Sequence, residues 1–224
     1  MKKIILGPPG SGKGTAASRI APKRNIVHIS TGDLLRENIR KQTPIGIKTK
    51  EFLENGDFVP DNLIINLIEN RLKERDTEKG FILDGFPRTI NQAKKLLEIT
   101  DIDLLINMDV TEDVIIKRIL TRLSCSHCNK IYNTRTIIPR QEGICDDCKN
   151  PLIKRSDDEI ETIRQRLVIY KEMTKPIINF YKDKLVIKDV ICNDLNQTPE
   201  ETFQEVLDII EGFEKENSQL EKDI

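Results

Sequence analysis

A glycine-rich loop near the start of the chain, residues 7–15 with the sequence GPPGSGKGT, constrains the fold more than any other feature. It follows the apolar residues 4–6 and leads into a helical pattern, which is the strand–loop–helix context of a phosphate-binding P-loop. Glycine lets backbone N–H groups curl around phosphate oxygens, because a residue without Cβ adopts the required dihedral angles freely. A helix that begins near Lys13 places its positive dipole end at the same point. The sequence therefore predicts an anion site at the end of the first strand.

One position of this loop departs from the usual pattern. Ser or Thr normally follows the lysine, where its hydroxyl meets Mg²⁺, whereas here Gly14 follows Lys13 and the hydroxyl comes one residue later, in Thr15. A Gly/Pro turn with no ligand is the alternative interpretation. The lysine in register and the strand-before, helix-after context favour phosphate binding.

Composition limits the class of protein. A chain of 224 residues with 38% hydrophobic content can bury one good core, with one or two small appendages. The formal net charge of -1 provides no basic field to attract nucleic acid or an anionic membrane. No apolar run approaches the ~18 residues of a membrane span, and cleavage of a signal peptide would destroy the loop. We therefore expect a cytoplasmic protein without nucleic-acid or membrane partners, in which five cysteines serve metal binding or burial rather than disulfides.

Short apolar runs alternate with helical patterns along the chain. Runs without polar alternation suit strands that are covered on both faces. We assign strands to residues 4–6, 26–29, 81–83, 104–106 and 185–187. Residues 62–71 repeat apolar side chains at helical spacing, and Thr198-Pro199 with Glu201 forms a capping box that starts a final helix. The predicted fold is α/β, with a doubly wound, mostly parallel sheet.

Two segments interrupt this alternation. Residues 30–59 contain no strand-like run and read as wholly helical, while residues 121–158 carry paired cysteines, prolines and few apolar residues. We predict a P-loop core made of residues 1–29, 60–120 and 159–224, with these two segments as inserted domains.

The second insertion has the spacing of a zinc site. Two CxxC pairs, separated by sixteen residues, contribute Cys125, Cys128, Cys145 and Cys148. Two such knuckles close a tetrahedron, and a four-Cys shell leaves no open position, so the zinc would be structural. Chance cysteines or two disulfides are the alternatives, and the lone Cys192 reads as a buried thiol. Zinc ribbons also bind nucleic acid. The segment has one aromatic residue, Tyr132, and its acidic residues offset its basic ones, so it is poorly suited to nucleic acid.

Several charged residues stand where phosphoryl transfer would need them. Asp84 ends an apolar strand, at the rim where ligands bind in such sheets and where a carboxylate can hold Mg²⁺ through water. Asp33 lies near a helix start, where helix capping is the alternative role. Arginines that could neutralise phosphates precede and follow the cysteine segment, at Arg118, Arg122, Arg155, Arg164 and Arg166. An isolated arginine is more often a solvated surface residue.

Together these motifs resemble one family. The loop, the segments STGDLLR (30–36) and DGFPRT (84–89), and the stretch from Arg155 to Arg166 are similar, in order and over essentially the whole chain, to adenylate kinase in its long-lid, zinc-containing bacterial form. The resemblance implies a P-loop core with a helical AMP-binding domain (30–59) and a mobile lid (121–158). It also implies Mg²⁺-dependent ATP + AMP ⇌ 2 ADP by a monomer that maintains the adenine nucleotide pool.

The resemblance also implies residue roles. Residues expected at ATP are Gly10, Ser11, Gly12, Lys13, Gly14, Thr15, Arg118, Arg122, Ile131, Tyr132 and Gln197. Residues expected at AMP are Thr31, Arg36, Asp57, Phe58, Val59, Gly85, Arg88, Gln92, Arg155 and Arg166. The expected catalytic residues are Lys13, Arg88, Arg122, Arg155 and Arg166, with Asp33 and Asp84 around the Mg²⁺ water shell.

The match has one departure and leaves alternatives open. Relatives carry Asp-Gly-Thr before the last helix, whereas this chain has Asp194-Leu195-Asn196, which affects the assignment of Gln197. A monophosphate kinase with GMP or UMP as acceptor is the close alternative. A P-loop switch or a zinc-ribbon nucleic-acid binder is the distant one, and neither needs the second set of arginines.

Overall fold

The structure is a computed structural model that describes residues 1–194 and 197–220. Across these residues five strands form one parallel sheet. They are β1 (Lys2–Leu6), β2 (Val27–Ser30), β3 (Phe81–Asp84), β4 (Leu104–Val110) and β8 (Val186–Cys192). Their order in the sheet is β2-β3-β1-β4-β8. The predicted strands are therefore confirmed, although β1, β4 and β8 extend well beyond the apolar runs that predicted them.

Helices cover both faces of this sheet, as the doubly wound class predicts. They are α1 (Lys13–Lys23), α2 (Thr31–Arg40), α3 (Pro44–Asn55), α4 (Asp61–Leu72), α5 (Ile90–Ile99), α6 (Glu112–Leu120), α7 (Ile160–Ile169), α8 (Pro176–Tyr181) and α9 (Pro199–Leu220). One buried cluster joins α1, α6, α7 and α9 to the sheet, and includes Ile5, Ile20 and Phe203. The other lies on the opposite face, under α2, α4, α5 and α8, and includes Ile4 and Tyr181. These two cores hold the carboxyl ends of the strands at one rim.

The two interruptions in the sequence pattern have different structures. Helices α2 and α3 follow β2 directly, with Ser30 and Thr43 capping them by accepting hydrogen bonds from Asp33 N and Gly46 N. Between α6 and α7, three short antiparallel strands form a second sheet in the described chain. They are β5 (Arg122–Cys125), β6 (Ile131–Asn133) and β7 (Leu152–Ile153). Their order in this sheet is β6-β5-β7.

The final helix begins where the capping box predicts. The Thr198 hydroxyl accepts from Glu201 N, and a Glu201 carboxylate oxygen accepts from Thr198 N at 2.7 Å. The sequence before this helix departs from the family pattern at Leu195 and Asn196, and both residues lie outside the described part of the chain. Within the described ranges, no helix is both long and apolar enough to cross a membrane.

Candidate active site

The glycine-rich loop leaves β1 and wraps the N-terminus of α1, whose N-cap is Gly12. Gly10 has φ +78°, and a Cβ there would stand 2.6 Å from Cγ1 of Ile119. Both the left-handed backbone and the space therefore require glycine at this point. In the described part of the chain, no side chain caps the N-terminus of α1, so its backbone N–H groups remain available, as a phosphate cradle requires.

Lys13 is the first residue of α1, and its Nζ donates to the carbonyl of Pro8 at 2.9 Å. Burial lowers the pKa of Lys13 to about 8, and the positive charges of Arg88, Arg166 and Arg122 act in the same direction, against Asp84. An anion bound here would offset this repulsion, because an opposite charge favours the protonated ammonium.

Asp84 ends β3 and is buried at the same rim. Its Oδ2 lies 3.2 Å from Nε2 of His28, which stands on the neighbouring strand β2. Burial alone would raise the pKa of Asp84, but the contact with His28 and the charges of Lys13 and Arg88 lower it more. A Cβ on Gly14 would stand 3.0 Å from the same Oδ2 atom. The carboxylate therefore occupies the space beside the residue that follows Lys13.

Four arginines and two aspartates meet beside this rim. Arg122, on β5, pairs with Asp158, with its Nε 2.9 Å from Oδ2. Arg166, on α7, pairs with Asp157. Burial alone would raise the pKa of Asp157, but the positive charges of Arg166, Arg122 and Arg155 outweigh it, so the pKa lies below its usual value. Both aspartates are buried, so these carboxylates hold the guanidinium groups in place before any phosphate binds.

Arg88 and Arg155 are each oriented by a hydrogen bond to a different part of the chain. Arg88 Nε donates to the carbonyl of Gly85 at 2.8 Å, and its guanidinium stands 5.8 Å from the ring centre of Phe58. Arg155 Nε donates to Oγ of Ser124 at 2.8 Å. Burial lowers the pKa of both arginines, and nearby arginines, Arg166 for Arg88 and Arg36 for Arg155, lower it further. A cluster of cations that repel one another in this way is suited to a ligand with several negative charges.

Arg118 connects three parts of the chain at the other end of the cleft. Its Nη1 donates to the carbonyl of Ser11 at 3.0 Å, and its Nη2 lies 3.0 Å from Sγ of Cys192 and 3.4 Å from the carbonyl of Gln197. Cys192 is fully buried at the end of β8, as its sequence context predicts.

Two adjacent cavities collect most of the predicted residues. The larger one runs from the loop to the second sheet, and its predicted lining residues are Gly10, Gly12, Lys13, Gly14, Thr15, Arg36, Asp84, Arg88, Arg118, Arg122, Ile131, Tyr132, Arg166 and Gln197. The smaller cavity is lined by Phe58 and Gly85 among others. The two cavities share Pro9, Lys13, Arg88 and Arg166. The cleft thus has two lobes that meet at a lysine and two arginines.

Some predicted residues do not line either cavity. These are Ser11, Thr31, Asp33, Asp57, Val59, Gln92 and Arg155. The amide of Gln92 contacts protein groups, since its Oε1 accepts from Arg88 N at 2.8 Å and its Nε2 donates to Asp61 at 2.6 Å. Asp33 pairs with Arg36 at 2.5 Å. The hydroxyl of Thr31 is buried without a hydrogen-bond partner in the described chain, at the first residue of α2.

The four paired cysteines come together in the second sheet, where their sulfur atoms all lie within 4.8 Å of one another. The Sγ–Sγ distances are 3.2 Å for Cys125–Cys148, 3.6 Å for Cys128–Cys145 and 3.5 Å for Cys128–Cys148. Zn–S bonds of about 2.3 Å imply edges of about 3.8 Å in a tetrahedron, so the cluster has the size of such a site. Tyr132 is buried beside it, and its hydroxyl accepts from Asp146 N at 2.8 Å.

Sequence reasoning missed three residues of this site. His28, Asp157 and Asp158 contact Asp84, Arg166 and Arg122, respectively. Adjacent acids two residues after Arg155, within an arginine-rich stretch, were a usable signal for Asp157 and Asp158. His28 had a weaker one, since it lies two residues before the end of a strand that neighbours β3.

The fold and the cleft define a P-loop phosphotransferase. A parallel sheet presents the loop, a strand-end carboxylate and converging arginines at one rim, around two lobes that share their cationic groups.

Comparison with known proteins identifies the family. The family model described as "Adenylate kinase" matches residues 5–186. The chain is 44% identical over 220 residues to an adenylate kinase of Fervidobacterium nodosum, a match that covers 96% of this chain and 100% of the relative. It is 48% identical to one from Kosmotoga olearia, over 82% of this chain and 87% of the relative. It is 45% identical to one from Archaeoglobus fulgidus, over 85% of this chain and 90% of the relative.

The chain belongs to the adenylate kinase family, and it is a phosphotransferase. This membership supports phosphoryl transfer between ATP and AMP and gives no support to GMP or UMP as the acceptor.

Proposed function

We propose that the two lobes of the cleft hold ATP and AMP at the same time and that the γ-phosphoryl group passes directly between them, in ATP + AMP ⇌ 2 ADP. The observation that carries this proposal is the sharing of Lys13, Arg88 and Arg166 by both cavities. A group that moves in line between two nucleotides needs cations that reach both sides of its path.

The larger lobe is the proposed ATP site. The loop from Gly10 to Thr15 would cradle the phosphates with its backbone N–H groups, and Arg118 would flank the adenine near Gln197. Ile131 and Tyr132, on β6, would lie over the nucleoside. Arg122 would exchange part of its contact with Asp158 for the phosphates, because a phosphate offers the same paired oxygens to a guanidinium.

The smaller lobe is the proposed AMP site. Phe58 and Gly85 line it, and Asp57 and Val59 flank Phe58 in the chain. The buried hydroxyl of Thr31 has no hydrogen-bond partner among the described residues and would gain one from a bound nucleotide. Arg36 would leave Asp33 to reach the phosphate, whereas Gln92 would first have to release Asp61 or the backbone of Arg88.

The shared cations are the proposed catalytic groups. Five side chains would stabilise the negative charge on the moving phosphoryl group. They are Lys13, Arg88 and Arg166, together with Arg122 and Arg155. They are held by carboxylates and backbone carbonyls before substrate arrives, so little reorganisation is needed during transfer.

The residues around Asp84 fit Mg²⁺ that enters with ATP. Carboxylates and hydroxyls are the ligands that Mg²⁺ prefers, often through water, and the low pKa of Asp84 keeps its carboxylate ionised beside the loop. Thr15 lines the same cavity. Asp33 lines neither cavity and pairs with Arg36, so it would have to act through water. When bound, Mg²⁺ would neutralise charge on the nucleotide phosphates.

We propose that Cys125, Cys128, Cys145 and Cys148 hold a structural zinc ion. Four thiolates in a closed shell leave no position for a substrate. The buried side chains of this module in the described chain are few, Cys125, Tyr132 and Cys145 with some partly buried neighbours. Metal binding would therefore supply much of its folding free energy.

Residues 121–158 and 30–59 are the proposed lid and AMP-binding domain. The lid would close over ATP and exclude water from the transfer site, as the lids of adenylate kinases are known to do. Arg40 Nη1 donates to the carbonyl of His127 at 2.8 Å, which supports a conformation in which the two insertions touch.

We propose a monomer, since one chain lines both lobes. It would act in the cytoplasm on the cell's adenine nucleotide pool.

A disproportionation assay tests the function. The purified protein, given Mg²⁺ and ADP alone, should form ATP and AMP in equal amounts. With ATP as donor, AMP should be phosphorylated far faster than GMP or UMP. Absence of ATP formation from ADP would overturn the proposal, and a preference for GMP or UMP would reassign the acceptor lobe.

A further inference from the structure

A π-helical turn interrupts the helix that lines the smaller lobe. It spans Tyr170–Thr174, between α7 and α8, and the Lys175 N–H donates to the carbonyl of Tyr170, five residues back, at 2.9 Å. Pro176 begins α8, has no N–H, and in a regular helix would collide with the carbonyl four residues earlier. The wider turn accommodates this proline. Such turns occur often at functional sites.

The turn directs the side chain of Thr174 at Arg88. Its Oγ1 donates to the backbone carbonyl of Arg88 at 3.0 Å, and Thr174 is only 5% exposed. One extra residue in a helical turn rotates the subsequent residues by about 100° around the axis. The π turn therefore decides which side chain of this segment faces Arg88.

Arg88 is thereby held at three points. Its N–H donates to Gln92, its Nε donates to the carbonyl of Gly85, and its own carbonyl accepts from Thr174. The first two contacts lie within the same short stretch of chain as Arg88. The third comes from the helical segment that also carries Arg166.

This third contact matters because Arg88 and Arg166 repel each other. Both line the two lobes, and the charge of Arg166 lowers the pKa of Arg88. Before substrate binds, electrostatics alone would push the two guanidiniums apart. The hydroxyl of Thr174 ties the backbone of one to the helix of the other without adding charge.

We propose that Thr174 is a positioning residue, which fixes the backbone of Arg88 relative to Arg166 so that both guanidiniums meet the same phosphoryl group. The inference rests on the proposed function. It adds to that function a determinant of turnover that acts through the backbone of Arg88, on a residue that also lines the smaller lobe.

Hydroxyl removal tests this role. Thr174→Val keeps the side-chain volume and removes the donor, and we expect kcat to fall about tenfold while KM for ATP and KM for AMP each change less than about twofold. A rise in KM for AMP with kcat unchanged would mean that Thr174 contacts the acceptor directly, and it would overturn the positioning role. Thr174→Ser keeps the donor and should restore kcat to within about twofold of the wild type. If Thr174→Val does not fold, Thr174→Ala against Thr174→Ser gives the same comparison.

Thr77→Val is the matched control. Thr77 is also 5% exposed, and its hydroxyl donates to the carbonyls of Leu72 and Glu74, away from both lobes. The Thr77→Val substitution should lower the melting temperature and leave kcat unchanged. Equal kcat losses in Thr174→Val and Thr77→Val, or no recovery in Thr174→Ser, would overturn the inference. An inactive wild-type protein would instead overturn the proposed function.

Discussion

Oδ2 of Asp84 lies 3.0 Å from the position that a Cβ atom on Gly14 would take, closer than an ordinary van der Waals contact. This contact explains why glycine replaces the usual Ser or Thr after the P-loop lysine. Any side chain at position 14 would have to displace the carboxylate by a few tenths of an ångström. The next hydroxyl in the sequence belongs to Thr15, which lines the same cavity.

Gly14→Ala should therefore impair catalysis without loss of stability. The new methyl group displaces Asp84, and we expect kcat/KM for MgATP to fall about tenfold. Alanine at the same time favours the helix, so the melting temperature should not drop.

Gly212→Ala, in α9, is the control for this variant. A Cβ there meets nothing within 4 Å among the described residues, so this change should add about 0.5–1 kcal/mol of stability and leave the kinetics unchanged. A Gly14→Ala enzyme with wild-type kcat/KM would show that Asp84 tolerates the displacement.

The charge of Lys13 should govern the alkaline limit of ATP binding. Its pKa of about 8 lies below the ordinary value because of burial, so the ammonium is charged below pH 8 and loses its charge as the pH rises through that value. We expect kcat/KM for ATP to decline above about pH 8, and kcat to decline at higher pH, because bound phosphate raises the pKa.

Steady-state kinetics between about pH 7 and 9.5 test this prediction. Lys13→Arg stays charged over that range, so its profile should be flat even if its activity is low. A wild-type profile that is equally flat would remove the titration of Lys13 as the cause.

Arg88→Lys should lower turnover more than binding. The guanidinium reaches both lobes and is oriented by the carbonyl of Gly85, and a lysine retains the charge but not the planar fork. We expect kcat to fall on the order of 10²-fold. Arg75→Lys, at an exposed position outside both cavities, should leave kcat unaltered. Similar kcat values for the two variants would exclude Arg88 from the transfer step.

Zinc removal should destabilise the protein. We expect one zinc ion per chain by elemental analysis, and a melting temperature lowered by about 5 °C or more after chelation. Cys148→Ser should reduce the zinc content, whereas Cys192→Ala, a buried thiol outside the cluster, should retain it. Purified protein without stoichiometric metal would contradict the site.

Local motifs made part of this molecule predictable. The loop, the carboxylate at the end of β3 and the two CxxC pairs each place their chemistry within a few residues, where chain geometry fixes it. The strand β8 was only partly predicted, because it pairs on one side with β4 and its polar residues Lys188 and Asp189 break the apolar run.

Pairings between distant segments were not predictable in this way. His28 meets Asp84 because β2 lies beside β3 in parallel register, and Thr174 meets Arg88 across 86 positions of sequence. Nothing in either local sequence names the partner. A hydroxyl or an imidazole has the same sequence context whether its side chain faces solvent or a buried group of the cleft.

The sequence by itself determined the strand–loop–helix phosphate site, the α/β class and the cysteine cluster, since glycine dihedral freedom, apolar periodicity and metal-ligand spacing act over short distances. The tertiary structure decided which acid holds which arginine and which helix turn steadies Arg88. It also decided how little space a side chain at position 14 would have, because the nearby carboxylate of Asp84 is brought in by the fold from another strand.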